Sequence, residues 1–541
     1  MTSNIIAVFL LSAFLFLFWA GRYSQNTLTI TPSYTLYVLG GMLLTLPLAY
    51  APLAGFPLGA WRVAGLIAGL LFLFSCLQFR YSRRTLSLLL YTTLLLVFIQ
   101  ALEAILQLFA PTWSLAPLYG KRAYGFFFQP NVLASFIATG LSLVLMLFLL
   151  PLFALPRHEH LRKGGLLILL VFFSALLVWL QSRVGWLGGG VAAILFLCRF
   201  GPRFPKRGTT AAVCMLGGGL LALAVWQCAD GMVTTIPHTQ SNQARWTMLN
   251  DTLSMIAQKP MLGWGYGSFE YDFQHFRINQ HPPTPITEIA SHPHNEILLW
   301  VVEGGMLAFV GIGVMALGYI QTVLRVFRHD KQAFATGQSH AGLPTALMFA
   351  QMPILLHTQL EYPFYLSALH FVVFLLFIAI ADQLSDEAIS QRRLSPRHTS
   401  ALSGVMSVLA LGLTIVMGYA FKGKEAIAQV ETYRMADITP LQTLPALSRW
   451  VLRERVTFDE NVHALLMFNH SRDEQALTRY RHWAQAYLKQ HIDKNVYANL
   501  IIILQHQHCG TMAEQYRQDA ARFFPDDKRF AAVSSPAKET Q

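Results

Sequence analysis

The chain has 541 residues, 54% of them hydrophobic and only 13% charged, with a mean hydropathy of +0.43. Soluble proteins carry about twice that share of charge, so a string of soluble domains is excluded and a polytopic all-α membrane protein is expected. The net charge of +12 would point to nucleic acid in a soluble chain, yet residues 422–541 hold a surplus of only two; the other ten basic charges lie in residues 1–421, mostly in short loops, so no nucleic-acid partner is expected.

A helix crosses the hydrocarbon core in about 20 apolar residues. About twelve such runs follow one another, near 4–20, 34–52, 60–79, 86–108, 131–154, 164–180, 184–199, 210–227, 296–324, 343–358, 364–382 and 400–421. No charged leader precedes the first, so Met1–Ala20 reads as a span and not as a cleavable signal. Arginines and lysines cluster in every second loop: Arg80/Arg83/Arg84, Arg157/Arg162/Lys163, Arg199/Arg203/Lys206/Arg207, Arg325/Arg328/Lys331 and Arg392/Arg393/Arg397. Those loops are expected on the cytoplasmic side. The segments between them are then extracytoplasmic: 109–130, the turn Gln181–Arg183, the long loop 228–295, the turn 359–363 and everything after 421. Twelve spans with an outside tail imply an outside N-terminus, unless one early span is miscounted.

Two parts fall outside the bilayer. The loop 228–295 holds a helix-like stretch, Gln243–Gln258, before Pro260 and the turn-rich Gly263-Trp264-Gly265-Tyr266-Gly267. The tail 422–541 has balanced charge, and its stretch Ala476–Pro525 carries apolar residues at helical spacing in a hairpin like a tetratricopeptide repeat. The expected division is a membrane catalytic domain, 1–421, and a small helical domain, 422–541. The cysteines form no CxxC pair; Cys76, Cys198 and Cys214 sit in apolar runs and read as buried small residues, and a bridge between Cys228 and Cys509 stays open.

Polar groups gather at the extracytoplasmic ends of the spans. Gln129-Pro130-Asn131 opens the fifth run, where Asn131 can cap a helix start that favours an anion. Arg183, in Gln181-Ser182-Arg183, either snorkels to head groups or binds a phosphate bidentately. Arg245 begins the loop helix and taken alone reads as solvated. Ser291-His292-Pro293-His294-Asn295-Glu296 leads into the ninth run. Its spacing is wrong for HExxH and no third ligand is evident, so a metal is not expected. A neutral histidine there suits accepting a proton from a hydroxyl. Glu303, seven residues after Glu296, is expected to face the same way and orient a partner or line a cavity. In His357-Thr358-Gln359-Leu360-Glu361-Tyr362-Pro363, the Glu and Tyr beside a membrane core need partners.

In this order the elements resemble the bacterial O-antigen ligase and O-oligosaccharyltransferase superfamily. The elements that carry the likeness are Gln129–Asn131, Ser182-Arg183, Arg245 with Pro260–Gly265, and His292–Asn295 with Glu303-Gly304-Gly305. The Leu360-Glu361-Tyr362-Pro363 turn and helical tail resemble its protein-glycosylating, pilin-type branch. The resemblance implies a GT-C type enzyme of the bacterial inner membrane. It would transfer an oligosaccharide from undecaprenyl diphosphate, on the periplasmic face, to hydroxyls of an acceptor protein such as a pilin. It implies His294 as general base and Arg183 and Arg245 as holders of the diphosphate. Gln129, Asn131, Tyr362, Glu361, Asn295 and Glu303 would support substrate binding. No metal and no cofactor are implied; no Asp-x-Asp pair lies in the outside loops. Transfer to lipid A–core, or extension of a repeat by a polymerase, is the alternative within the superfamily. A transporter fits less well, because no internal repeat is visible and the polar groups sit at one face.

Overall fold

The computed structural model describes residues 2–23, 25–228, 239–284, 288–385 and 391–531. The loop residues 229–238 and 285–287 and the last ten residues therefore lie outside the described residues. Membrane-type helices come first: α1 (Thr2–Ala20), α2 (Pro32–Thr45), α3 (Phe56–Leu77), α4 (Arg83–Phe109), α5 (Pro130–Leu149), α6 (Glu159–Trp179), α7 (Arg183–Phe200) and α8 (Pro205–Cys228). The long loop holds α9 (Thr239–Gln258) and α10 (Phe269–Ile278). The membrane then resumes with α11 (Glu296–Ala335), α12 (Leu343–Ala350), α13 (Met352–Thr358), α14 (Pro363–Leu366), α15 (Ala368–Ser385) and α16 (Pro396–Thr432). The tail adds α17 (Thr439–Gln442), α18 (Ala446–Val451), α19 (Arg453–Ser471), α20 (Glu474–Tyr487), α21 (Lys494–His506) and α22 (Gly510–Phe523).

Among the described residues eleven helices are long and apolar enough to cross a membrane. The run at 343–358 is the twelfth, and it is broken. Pro353 lacks an N–H, and its ring would clash with the Phe349 carbonyl, so the helix stops at Gln351 and restarts. α5 is the axis of the bundle: every residue from Asn131 to Leu149 is buried, with α4, α6, α7, α12 and α13 packed around it. Such a helix carries no charge, which its sequence satisfies. The outer helices keep large apolar side chains exposed, as lipid contact allows; Leu216 and Leu220 on α8 are examples. Cys198, expected to be buried, is exposed on α7, because an apolar run facing lipid is not a protein core. Cys228 and Cys509 are both free.

One exception to an all-helical fold settles the course of the N-terminus. Strand β1 (Thr27–Thr29) pairs antiparallel with β2 (Gln391–Arg393), which places the first connection beside an arginine-rich loop. At the other end of α1, Asn4 donates to the Leu366 carbonyl (2.8 Å) and accepts from the Ala368 N–H (3.1 Å). α1 therefore starts at the face opposite the basic loops, in agreement with twelve crossings.

That opposite face carries the extramembrane mass. Helices α20–α22 close a core of their own that also takes in Ile278 of α10, while Arg522 donates to the Ile278 carbonyl (2.9 Å) and to Asn279 (2.8 Å). α16 enters this layer without a break at 421. His491 ties the layers together between Glu270 on α10 (3.4 Å) and Glu454 on α19 (3.1 Å). Burial would lower its pKa, but the hydrogen bonds and charges of the two carboxylates raise it to about 9. A raised folded pKa gives stability that is fully present below the unfolded value of about 6.5 and is lost as pH rises through the folded one. The thermal midpoint should therefore fall between about pH 7 and 9. His491→Gln should abolish that slope, and an unchanged slope in the variant contradicts the assignment.

Candidate functional site

Three membrane helices, α5, α7 and α11, begin at the face that bears the loop and the tail. Each has a side-chain cap: Gln129 accepts from the Asn131 (2.6 Å) and Val132 (3.0 Å) N–H groups, Ser182 from Gly185 and Asn295 from Leu298 (3.0 Å). The cap on α5 is thus Gln129, not Asn131 as the sequence suggested. Asn131 lies one step further in, and its amide is taken by other partners. The positive ends of three helix dipoles meet there.

Glu361, in the turn before α14, is the hub. It is 1% exposed and accepts from Asn131 Nδ2 (2.6 Å), Gln129 Nε2 (3.0 Å), His357 Nε2 (3.2 Å) and the guanidinium of Arg245. Burial would raise its pKa, but His357, Arg245 and Asn131 hold it down to about 2. It is a saturated, ionised carboxylate and a poor base. Asn131 Oδ1 in turn accepts from Ser182 (2.8 Å) and from Arg122 (3.1 Å), whose guanidinium also reaches the Leu180 (3.4 Å) and Gln181 (3.3 Å) carbonyls. Burial lowers the pKa of Arg122, as do the neighbouring charges of Arg245 and Arg183, while Glu361 raises it. Arg183 bonds Asn242 on α9. Arg245 pairs directly with Glu361, and the guanidinium groups of Arg122 and Arg183, from two other segments, stand close to it.

His294 stands beside this cluster. Its φ is +53°, a left-handed conformation that costs a residue with a Cβ about 1–2 kcal/mol. Its backbone N–H donates to His292 Nδ1 (3.1 Å), and His292 stacks on Tyr362 at 4.1 Å. The His294 ring lies edge-on to the same tyrosine at 5.5 Å, with a buried Nδ1 that has no hydrogen-bond partner. Burial pushes the His294 pKa below its usual value, as Arg245 does, against the opposing pull of Glu361 and Glu288. The ring is neutral near pH 7 and carries an unused nitrogen. Asn295 donates from its amide to the Gln359 carbonyl (3.1 Å), joining the His294 segment to the Glu361 turn.

Glu303 is placed elsewhere. It pairs with Arg62 of α3 and accepts from the Gly267 (3.0 Å) and Phe269 (2.9 Å) N–H groups. The chain kinks at Gly305 (φ +60°), and Gly263 (φ +71°) presses against the Glu303 carbonyl where a Cβ would not fit. Glu303 thus clamps the glycine-rich loop to α11, while Glu296, two turns before it, accepts from the Phe364 N–H (3.2 Å). A cleft of about 680 Å³ opens between Glu288–Ile289 and the tail residues Asp493 and Phe524. Among the described residues no group of three or more His, Cys, Asp or Glu side chains is placed to hold a metal ion.

Arg122, Arg62 and the buried pair Ser135 and His370 were not singled out in the sequence. A histidine inside an apolar run is itself a signal, which would have found His370.

The fold and site define a polytopic all-α membrane protein with an arginine-rich, histidine-bearing site at one face. Residues 168–313 match the family described as O-Antigen ligase, and residues 345–538 match the one described as Virulence factor membrane-bound polymerase, C-terminal. The two matches support the O-antigen ligase superfamily and, with it, an enzyme that transfers glycosyl groups. No curated protein matches the chain.

Proposed function

We propose that the protein transfers an oligosaccharide en bloc from undecaprenyl diphosphate to serine or threonine hydroxyls of periplasmic proteins. The observation that carries this reading is the gathering of Arg122, Arg183 and Arg245 about the ionised Glu361, next to the neutral His294. Arginines bind phosphate oxygens bidentately, and Arg122, Arg183 and Arg245 come from separate segments that can close on a diphosphate. The helix starts at α5, α7 and α11 add to that field.

The chemistry then follows. His294 takes the proton of the acceptor hydroxyl as its oxygen attacks the anomeric carbon. The bond from that carbon to the diphosphate oxygen breaks, and the arginines hold the charge that develops on the leaving group. The product carries the inverted configuration. The proton on His294 returns to water or to the departing diphosphate. The site would lie on the periplasmic face of a bacterial inner membrane, since the arginine-rich loops lie at the other.

A protein acceptor is favoured by the folded tail and its cleft beside Glu288, whose charge acts on His294 and Tyr362. Two family descriptions, ligase and polymerase, keep transfer to lipid A–core or to a growing repeat as the second reading. Purified protein given lipid-diphosphate oligosaccharide with either a pilin-like protein or lipid A–core should add mass to the protein. Mass gained only by the lipid, or only by the donor glycan, overturns the proposal.

A further inference from the structure

Beneath the site a file of polar side chains runs inward through the apolar bundle. Behind Glu361, His357 Nδ1 lies 2.7 Å from Ser135 Oγ on α5; Ser135 Oγ lies 3.0 Å from His370 Nε2 on α15; His370 Nδ1 lies 2.8 Å from Ser367 Oγ. His357, Ser135, His370 and Ser367 are all fully buried. Uncommitted polar groups at that depth are costly, so a file of four calls for a reason beyond packing.

Its hydrogens can run in one direction. The ionised Glu361 only accepts, so His357 Nε2 carries a hydrogen. With its hydrogen on Nε2, His357 accepts at Nδ1 from the Ser135 hydroxyl. Ser135 accepts from His370 Nε2–H, and His370 Nδ1 accepts from the Ser367 hydroxyl. In this direction every donor of the file points towards the carboxylate, and the shorter bond from Ser135 Oγ, to His357 at 2.7 Å, prevails over its alternative acceptor, the Val132 carbonyl at 3.1 Å.

We infer that His357, Ser135, His370 and Ser367 act as positioning residues, a tautomer lock that holds an N–H on Glu361 and so keeps this carboxylate ionised among the arginines. The role deepens the transferase reading and rests on it. An ionised Glu361 spaces Arg245 and orders Asn131 and Gln129; a protonated one would release the start of α5 and the arginine. Arg245 on α9, Arg122 before α5, His294 before α11 and Tyr362 on the same turn also face Glu361. The contribution of the file is therefore read against them in unchanged form.

Two measurements on the full-length protein test this without any donor. Nitrogen-15 NMR of histidine-labelled protein, with the His357 signal assigned by its loss in His357→Gln, should show a hydrogen on Nε2 and none on Nδ1. A ring protonated at Nδ1 overturns the lock whatever the variants do. Infrared titration of the protonated-carboxyl band, assigned by its loss in Glu361→Gln, should follow Glu361. Ser135→Ala and His370→Phe, which do not touch Glu361, should raise its midpoint by about one to two pH units. Ser135→Thr and His370→Gln, which keep a hydroxyl and an N–H, should restore it. Midpoints unchanged in Ser135→Ala and His370→Phe reduce the file to a packing feature. If undecaprenyl diphosphate fails to bind while the titration behaves as stated, the transferase reading fails and the lock stands.

Discussion

His294→Asn protein should fold with a near-native thermal midpoint and lose transfer activity by about 10²–10⁴-fold, the usual contribution of a positioned base. Asparagine is the informative replacement because position 294 is left-handed, at φ +53°. Asparagine tolerates that conformation, whereas alanine is less at ease in it than histidine and would mix strain with lost chemistry. The neighbour separates base from placement. His292→Phe keeps an aromatic stack on Tyr362 but removes the acceptor of the His294 N–H (3.1 Å). Losing that one hydrogen bond should cost about tenfold in kcat/KM. Transfer at the normal rate in His294→Asn contradicts the assignment of the base.

Glu303→Ala should be the most damaging single change to stability among the charged residues of the membrane domain. Arg62 and Glu303 are both nearly inaccessible, and the carboxylate also accepts two backbone N–H groups of the glycine-rich loop. Removing one partner of such a pair leaves a buried charge uncompensated, at about 3–5 kcal/mol. Arg62 is also surrounded by the rings of Tyr266, Trp300 and Tyr365, which fix it in place. A double replacement, Arg62→Met with Glu303→Leu, removes both charges and should recover part of the loss, as seen in the thermal midpoints of the two variants. Equal losses in the single and double variants would show that the loop hydrogen bonds, not the ion pair, carry the energy.

The spans and their alternation were legible because both signals are local. A run of apolar residues long enough to cross the bilayer and arginines in the next loop need no knowledge of the partner. The ends of the site were legible for the same reason: Gln129, Ser182, Asn295 and Tyr362 all sit where a helix starts. Two kinds of feature were not legible. Partnership across the chain was one, since Asn131 and Glu361 lie 230 positions apart and nothing in either segment names the other. That distant carboxylate is also why Gln129 and not Asn131 caps α5. The partners of a shared face were the second. Glu296 and Glu303 both precede the bend at Gly305, but the backbone N–H groups that each accepts from, Phe364 for one and the glycine-rich loop for the other, belong to segments outside the helix.

The central claim is that the diphosphate arm of a lipid-linked glycan is the leaving group of a direct transfer. Wild-type protein should be mixed in a single turnover with undecaprenyl-diphosphate oligosaccharide and a pilin-like acceptor, and both products weighed. The account predicts one undecaprenyl diphosphate released for each intact oligosaccharide gained by the acceptor. Release of the monophosphate, or glycan added one sugar at a time, would contradict it.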